Sequence, residues 1–161
     1  MRAVLNSSAI IALSFLNYLS KLRHLFEQIW VASAVYDEIC VTGRGLIGDA
    51  ELSEAVKKGV IEAKGVENRT LVNALTDSLS LGEAETIALT VKERAEYVVI
   101  DDRLARRRAE SLGLNVIGTL RALRMMLDHG LIDKEEFLNS IEKLREVGFR
   151  ISDKVIETLL K

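Results

Sequence analysis

The chain has 161 residues, of which 48% are hydrophobic and 29% charged, and its formal net charge is −2. This length predicts one domain with a full core. The near-neutral charge excludes a polycation that coats nucleic acid, so any nucleic-acid contact must come from a local basic patch. The chain has one cysteine, Cys40, which excludes an internal disulfide. Its only histidines are His24 and His129, so the chain lacks the four Cys or His ligands of a typical structural zinc site.

The sequence also predicts where the protein works. Its first residues lack the basic segment and long apolar core of a secretory signal. No apolar run reaches the roughly 18 residues that span a membrane. We therefore expect a cytoplasmic protein with no membrane segment.

Short apolar runs alternate with helical periodicity along most of the chain. The predicted strands cover residues 3–5, 29–31, 60–63, 97–100 and 115–117. The predicted helices cover residues 8–16, 19–26, 34–39, 49–58, 68–77, 81–94, 103–112 and 119–129. Strands that alternate with helices indicate an α/β protein whose parallel sheet has helices on both faces.

The C-terminal part has a different pattern. Residues 132–147 and 152–160 both have helical periodicity, and no strand lies between them. We predict a helical hairpin there, so that residues 1–130 form the α/β domain and residues 131–161 pack on it or on a second subunit. The second arrangement would make the protein a homodimer.

Oxygen-bearing side chains fall at predicted strand ends and helix starts. The candidate ligands are Asn6, Glu38, Glu83, Asp101 and Asp102. Glu83 and Asp101 are 18 residues apart, which is enough for one helix and one strand to return the chain to the same edge of the sheet. Carboxylates without His or Cys favour a hard divalent cation, Mg²⁺ or Mn²⁺, which activates water and stabilises the oxygens of a phosphodiester under attack.

Each of these residues also has a purely structural interpretation. Asn6 is a good N-cap for the first helix, and it can cap and face a metal at once. Glu38 could be a solvated helix residue, and the neighbouring Asp37 could serve in its place. Glu83 is favoured at a helix start by the helix dipole alone.

Two further assignments follow from helix geometry. Glu85 lies about 200° around the helix from Glu83, so we expect it to face away from the site. One member of the pair Asp101 and Asp102 is expected to cap the next helix, and we favour Asp101 as the ligand, with Asp102 in support.

A basic cluster follows the acidic pair. Arg103, Arg106, Arg107 and Arg108 could bind RNA phosphates, although a solvated helix face is the ordinary explanation of such a run. Arg103 and Arg107 are one helical turn apart and close to the acids, so they are the better candidates. Ser7 and Ser8 are expected to cap the first helix, or else to contact phosphate or metal-bound water.

Four segments carry a resemblance to a known family. They read LNSSAIIAL from Leu5, WVASAVYDEI from Trp30, LGEAETIAL from Leu81 and VVIDDRLARRRAESLGLNVIGTL from Val98. Together they resemble the PIN domain nucleases. The resemblance implies a Rossmann-like three-layer fold with strand order 3-2-1-4-5 and Mg²⁺- or Mn²⁺-dependent cleavage of single-stranded RNA. Many members of that family are toxins of toxin–antitoxin pairs, often dimeric and inhibited by a small antitoxin protein.

The chain departs from the family pattern at Asn6, where an Asp is usual. An amide oxygen can coordinate a hard cation but brings no charge, so weaker metal affinity is expected. Two hypotheses follow: a metal-dependent ribonuclease, or a catalytically weakened module that binds RNA or protein. A phosphoacceptor domain is disfavoured because it would need its acidic pair after the first strand rather than the fourth.

Overall fold

The computed structural model describes residues 1–161 and has a five-stranded, all-parallel sheet at its centre. The strands are β1 (Arg2–Leu5), β2 (Gln28–Ala32), β3 (Glu62–Lys64), β4 (Tyr97–Val99) and β5 (Val116–Ile117). Their spatial order is β3-β2-β1-β4-β5, and every neighbouring pair is parallel. The predicted fold class and strand order are therefore confirmed.

Nine α-helices and two short helical turns surround the sheet. The helices are α1 (Ser7–Phe15), α2 (Ser33–Asp37), α3 (Asp49–Lys57), α4 (Arg69–Leu75), α5 (Leu81–Glu93), α6 (Arg103–Ser111), α7 (Thr119–Asp128), α8 (Lys134–Glu146) and α9 (Asp153–Leu160). A 3₁₀ turn spans Leu19–His24, and a π-helical turn, Glu38–Thr42, continues α2. None of these helices is both long and apolar enough to cross a membrane.

The central strands are apolar because helices cover both of their faces. Ala3, Val4 and Leu5 of β1 are fully buried, as are Val98 and Val99 of β4. Such continuous apolar runs are typical of parallel strands buried on both sides. These strands belong to a single cluster of 43 buried hydrophobic residues, and β1 pairs directly with β4 in the sheet.

The third strand begins later than the sequence predicts. The backbone N–H groups of Val60 and Ile61 both donate to the carbonyl of Ala55 at the end of α3, over distances of 2.9 and 3.2 Å. Gly59, with φ of 76°, makes the turn that allows these bonds. Val60 and Ile61 therefore close the helix, and pairing with β2 starts at Glu62.

Trp30 lies inside the sheet rather than at an edge, because β2 is flanked by β1 and β3. The side chain is 5% exposed, and its Nε1 donates to Glu62 Oε2 at 3.1 Å. Trp30 is therefore part of the hydrophobic core.

The C-terminal helices α8 and α9 both pack against α7. Phe137, Ile141 and Leu144 of α8 are fully buried. Helix α9 has no fully buried residue, and the Arg145 guanidinium connects α8 to it through the Ile151 carbonyl at 2.6 Å and Asp153 at 3.0 Å. The division into residues 1–130 and 131–161 remains a prediction.

Candidate functional site

A polar cleft of about 410 Å³ opens at the carboxyl ends of β1 and β4. Its lining contains no hydrophobic residue and consists of Asn6, Ser7, Ser8, Glu38, Ser80, Glu83, Asp101 and Asp102. From β1 the chain adds β2 and then β3 towards one edge of the sheet. It then crosses over β1 and adds β4 and β5 towards the other edge, so the topological switch point lies between β1 and β4. Open α/β sheets bind their ligands at this point.

Asn6 follows β1 directly and is 5% exposed. Its backbone N–H donates to the Val99 carbonyl at 3.0 Å, which fixes it beside the end of β4. The residue is at the N-cap position of α1, but its side chain makes no capping bond. Instead Oδ1 accepts a long, 3.4 Å bond from Thr86 Oγ1, and the side chain lines the cleft.

Asp101 and Asp102 have different partners. Asp102 Oδ2 accepts from the Ala105 N–H at 2.9 Å and so caps α6. Asp101 accepts three bonds: from the Thr119 N–H at 2.8 Å, Thr119 Oγ1 at 2.6 Å and Ser8 Oγ at 3.0 Å. Its carboxylate is therefore held at the N-terminus of α7, where the helix dipole favours a negative charge.

Glu83 closes the N-terminus of α5 through a capping box. Its backbone N–H donates to Ser80 Oγ at 3.2 Å, while its Oε1 accepts from the Ser80 N–H at 3.0 Å. The structural role that we considered for Glu83 is thus present, and the same side chain lines the cleft.

Glu38 lies at the junction of α2 and the π-helical turn. Its Oε2 accepts from Ser7 Oγ at 2.6 Å, and the carboxylate packs against Gly82 in the first turn of α5. Asp37 is exposed and does not line the cleft, so Glu38 is the acid that faces it. π-Helical turns occur often at functional sites.

The fit to a metal ion can be judged from the donor atoms. No group of three or more His, Cys, Asp or Glu side chains is arranged to hold a metal ion. The cleft nevertheless offers carboxylate, amide and hydroxyl oxygens only. Mg²⁺ is commonly bound through one or two carboxylates while keeping several waters, so this donor set fits a hard divalent cation better than zinc.

The four basic residues of α6 separate into two pairs. Arg106 Nη1 donates to the Ile100 carbonyl at 3.0 Å, and Arg108 Nη1 donates to Asp77 at 3.1 Å. Arg103 and Arg107 are exposed and make no side-chain hydrogen bond or ion pair. The second pair is therefore free to meet a ligand, and it is the pair that the sequence favours.

Glu85 lies outside the cleft, as its position on the helix predicts, but it does not face solvent. The residue is 6% exposed; its Oε1 accepts from the Ala34 N–H at 3.0 Å and its Oε2 pairs with Arg69 Nη1 at 3.0 Å. Glu85 thereby ties α5 to the start of α2, the helix that leads into Glu38.

Sequence reasoning missed Ser80, Gly82 and Thr119. The pattern Ser80-x-x-Glu83 is a capping-box signature, which could have identified Ser80 as a partner of Glu83. Gly82 and Thr119 contact Glu38 and Asp101 across the fold. No local pattern reveals such contacts.

An all-parallel sheet of order β3-β2-β1-β4-β5, with an oxygen-lined cleft at its switch point, defines a Rossmann-like α/β protein with a candidate ligand site at that point. A family model described as PIN domain matches residues 2–161, and the chain belongs to the PIN domain family. No curated protein matches the chain.

Proposed function

We propose that the protein is an Mg²⁺- or Mn²⁺-dependent endoribonuclease that cleaves single-stranded RNA. The observation that carries this proposal is the cleft at the switch point, which Glu38, Glu83, Asp101 and Asp102 line together without any apolar residue. Membership of a nuclease-type family supports it.

The side chains have separate roles in this proposal. Glu38, Glu83 and Asp101 would hold one or two cations, with Asp102 in support and Asn6 as a neutral, weaker ligand. When bound, such an ion activates water and stabilises the oxygens of the scissile phosphodiester. Thr119 and Ser8 keep the Asp101 carboxylate oriented, and Ser7 does the same for Glu38.

RNA binding would depend on α6. Arg103 and Arg107 are one turn apart on the helix that starts next to Asp101 and Asp102, and neither is engaged by an acidic partner. Guanidinium groups bind phosphates in a bidentate manner. Ser7 and Ser8 are engaged by carboxylates, so a phosphate contact from either hydroxyl would have to replace an existing bond.

The cellular setting that we propose is a cytoplasmic, toxin-like homodimer inhibited by a small antitoxin-like protein. The C-terminal part is the candidate dimer surface, because Leu138, Val147 and Val155 leave 37%, 50% and 42% of their surface exposed there.

A second function is favoured by one observation. Asn6 places a neutral amide where a carboxylate would attract the cation, and the remaining acids do not converge into a group of three. Removing one charge a few Å from a divalent ion costs on the order of several kcal/mol at an effective dielectric near 20. The alternative is therefore a catalytically weakened PIN domain that recognises RNA or a protein partner.

Glu83→Gln tests the ribonuclease most cleanly. Glutamine also closes a capping box, so the variant should keep the helix start and the melting temperature. We expect cleavage of a single-stranded RNA in Mn²⁺ to be lost. Unchanged cleavage by pure, folded Glu83→Gln protein would show that this carboxylate does not take part.

Glu38→Gln and Asp37→Asn form a matched pair for the second acid. Both variants remove one negative charge from adjacent exposed positions, but only Glu38 lines the cleft. Cleavage should fall in the first variant and persist in the second. Equal losses in both would point to general electrostatics rather than to ligation by Glu38.

A further inference from the structure

The buried hydroxyl of Thr86 in α5 lies against the side chain of Asn6. Its Oγ1 is 2.7 Å from the Gly82 carbonyl, one helical turn earlier, and 3.4 Å from Asn6 Oδ1. A hydroxyl has one proton to donate and two lone pairs with which to accept. The shorter contact takes this proton preferentially, which leaves a lone pair of Thr86 Oγ1 free to accept a hydrogen bond from the direction of Asn6.

The other end of the Asn6 amide, Nδ2, faces the cleft. Nδ2 makes no hydrogen bond, yet it is not one of the buried side-chain atoms without a partner, which are Ser14 Oγ and Glu51 Oε2. Because Asn6 is only 5% exposed and lines the cleft, the surface that Nδ2 keeps opens on that cleft. The NH₂ group is the positive end of the amide dipole, so this orientation suits a cleft that four carboxylates line.

The same orientation does not suit a cation. Of the two amide atoms of Asn6, only Oδ1 can be a metal ligand, because the NH₂ group has donors and no free acceptor. A turn of about 180° around the last side-chain bond exchanges the two atoms and leaves the shape of the side chain unchanged. After that turn Nδ2 would face Thr86 Oγ1, which has the free lone pair to accept from it.

We propose that Thr86 is a positioning residue that makes Asn6 a usable cation ligand. When Mg²⁺ or Mn²⁺ binds, the Asn6 amide turns over, Nδ2 donates to Thr86 Oγ1, and Oδ1 is presented to the cleft. The proposal rests on the cation site of the proposed ribonuclease. Without the Thr86 hydroxyl, the turned amide would leave Nδ2 facing a buried position with no acceptor, which is unfavourable.

Mn²⁺ calorimetry of Thr86 variants tests this role. Thr86→Val keeps the shape of the side chain and loses the acceptor, so the affinity should fall by about fivefold or more, and Thr86→Ser should restore it. Thr90→Val is the matched control. Thr90 is buried in the same helix and donates to the Thr86 carbonyl at 2.8 Å, but it does not line the cleft. Wild-type affinity in Thr86→Val, or an equal loss in Thr90→Val, would overturn the proposal.

A double-mutant cycle separates an effect on the amide from an effect on the helix. Asn6→Ala removes the amide, so Thr86→Val should not lower the Mn²⁺ affinity any further in that background. The same fold-loss in both backgrounds would overturn the proposal, because Thr86 would then act on the site without Asn6.

Nuclear magnetic resonance of the wild type observes the amide itself, so this test does not depend on the folding of a variant. The side-chain NH₂ signals of Asn6 are identified by their absence from Asn6→Ala. Their nuclear Overhauser effect to the side-chain protons of Thr86 should be weak without Mg²⁺ and strong with it. An unchanged effect, in a protein that calorimetry shows to bind the cation, would overturn this proposal and leave the proposed function standing. No cation binding by the wild type would overturn both.

Discussion

Gly82 lies against the carboxylate of Glu38, with no room for a side chain between them. A Cβ atom added at Gly82 would overlap Glu38 Oε1 and come within 2.9 Å of Glu38 Cδ. Alanine would be the better helix former at this position of α5, but only glycine leaves room for the Glu38 carboxylate to pack against the first turn of that helix.

Gly82→Ala should consequently move Glu38 out of place without unfolding the protein. The gain in helix propensity, about 0.5–1 kcal/mol, partly offsets the steric cost. We expect Mn²⁺ affinity and RNA cleavage to fall by about tenfold or more while the melting temperature changes by only a few degrees. Gly65→Ala is the control, since its Cβ would meet nothing closer than Ser33 Oγ at 3.7 Å. Full activity in Gly82→Ala would contradict the proposed role of Glu38.

The Thr119 hydroxyl is the shortest contact of Asp101, at 2.6 Å. Thr119→Val keeps the shape and the backbone N–H bond but removes this donor, which should cost about 1–3 kcal/mol in the free energy of unfolding. Mn²⁺ affinity should fall as well, because the carboxylate is less well oriented. Thr119→Ser restores the hydroxyl and should restore both properties. Urea titration measures the free energy of unfolding, and calorimetry measures the Mn²⁺ affinity. A Thr119→Val variant that matches the wild type in both quantities would show that Thr119 does not orient Asp101.

The Glu85–Arg69 pair makes a prediction about stability. The Glu85 side chain is 8% exposed, but that of Arg69 is 49% exposed, so the pair is partly screened. Glu85→Gln keeps an acceptor for the Ala34 N–H and removes the charge, for which we expect a loss of about 1–3 kcal/mol. Glu54→Gln breaks the solvent-exposed ion pair between Glu54 and Lys58 and should lower the free energy of unfolding by less than about 0.5 kcal/mol. Chemical unfolding of the two variants side by side tests the difference, and equal losses would refute it.

Asp49 gives the stability a defined dependence on pH. The backbone N–H of Gly45, which donates to Asp49 Oδ2 at 2.9 Å, holds the pKa of that carboxyl below its usual value of 3.8, and Ser53 acts in the same direction. Because the folded pKa is the lower one, this contribution is present above about pH 4 and is lost as the pH falls through the folded value. Asp49→Asn should flatten the acid limb of a plot of unfolding free energy against pH between 2 and 5. An unchanged acid limb would show that Asp49 does not contribute.

Sequence patterns predicted the central strands β1, β2 and β4 because these strands are mostly buried and therefore read as short apolar runs. The spacing of Glu83 and Asp101 was equally informative, since a helix followed by a parallel strand must return to the same edge. The start of the third strand was missed because the Ala55 carbonyl competes for Val60 and Ile61.

Residues of the cleft were predicted from their types and positions, but their partners were not. Ser7 and Ser8 resemble caps in sequence, yet their hydroxyls orient Glu38 and Asp101, which are 31 and 93 residues away. Glu85 was expected to face away from the cleft, and nothing in its neighbourhood reveals that Arg69 and the Ala34 N–H enclose it. Such contacts depend on how the helices pack, which local periodicity does not encode.

The most direct measurement is Mn²⁺ binding by calorimetry on the wild type and Asn6→Asp, combined with cleavage of a single-stranded RNA. Asn73→Asp, which makes the same charge change on the exposed face of α4, is the control. We predict that the wild type binds Mn²⁺ and cleaves RNA in a reaction that EDTA stops. Asn6→Asp should bind Mn²⁺ at least about tenfold more tightly, since a carboxylate then replaces the amide. Binding and cleavage only in Asn6→Asp would favour the weakened module. No Mn²⁺ binding by either protein would contradict the account of the cleft as a metal-dependent nuclease site.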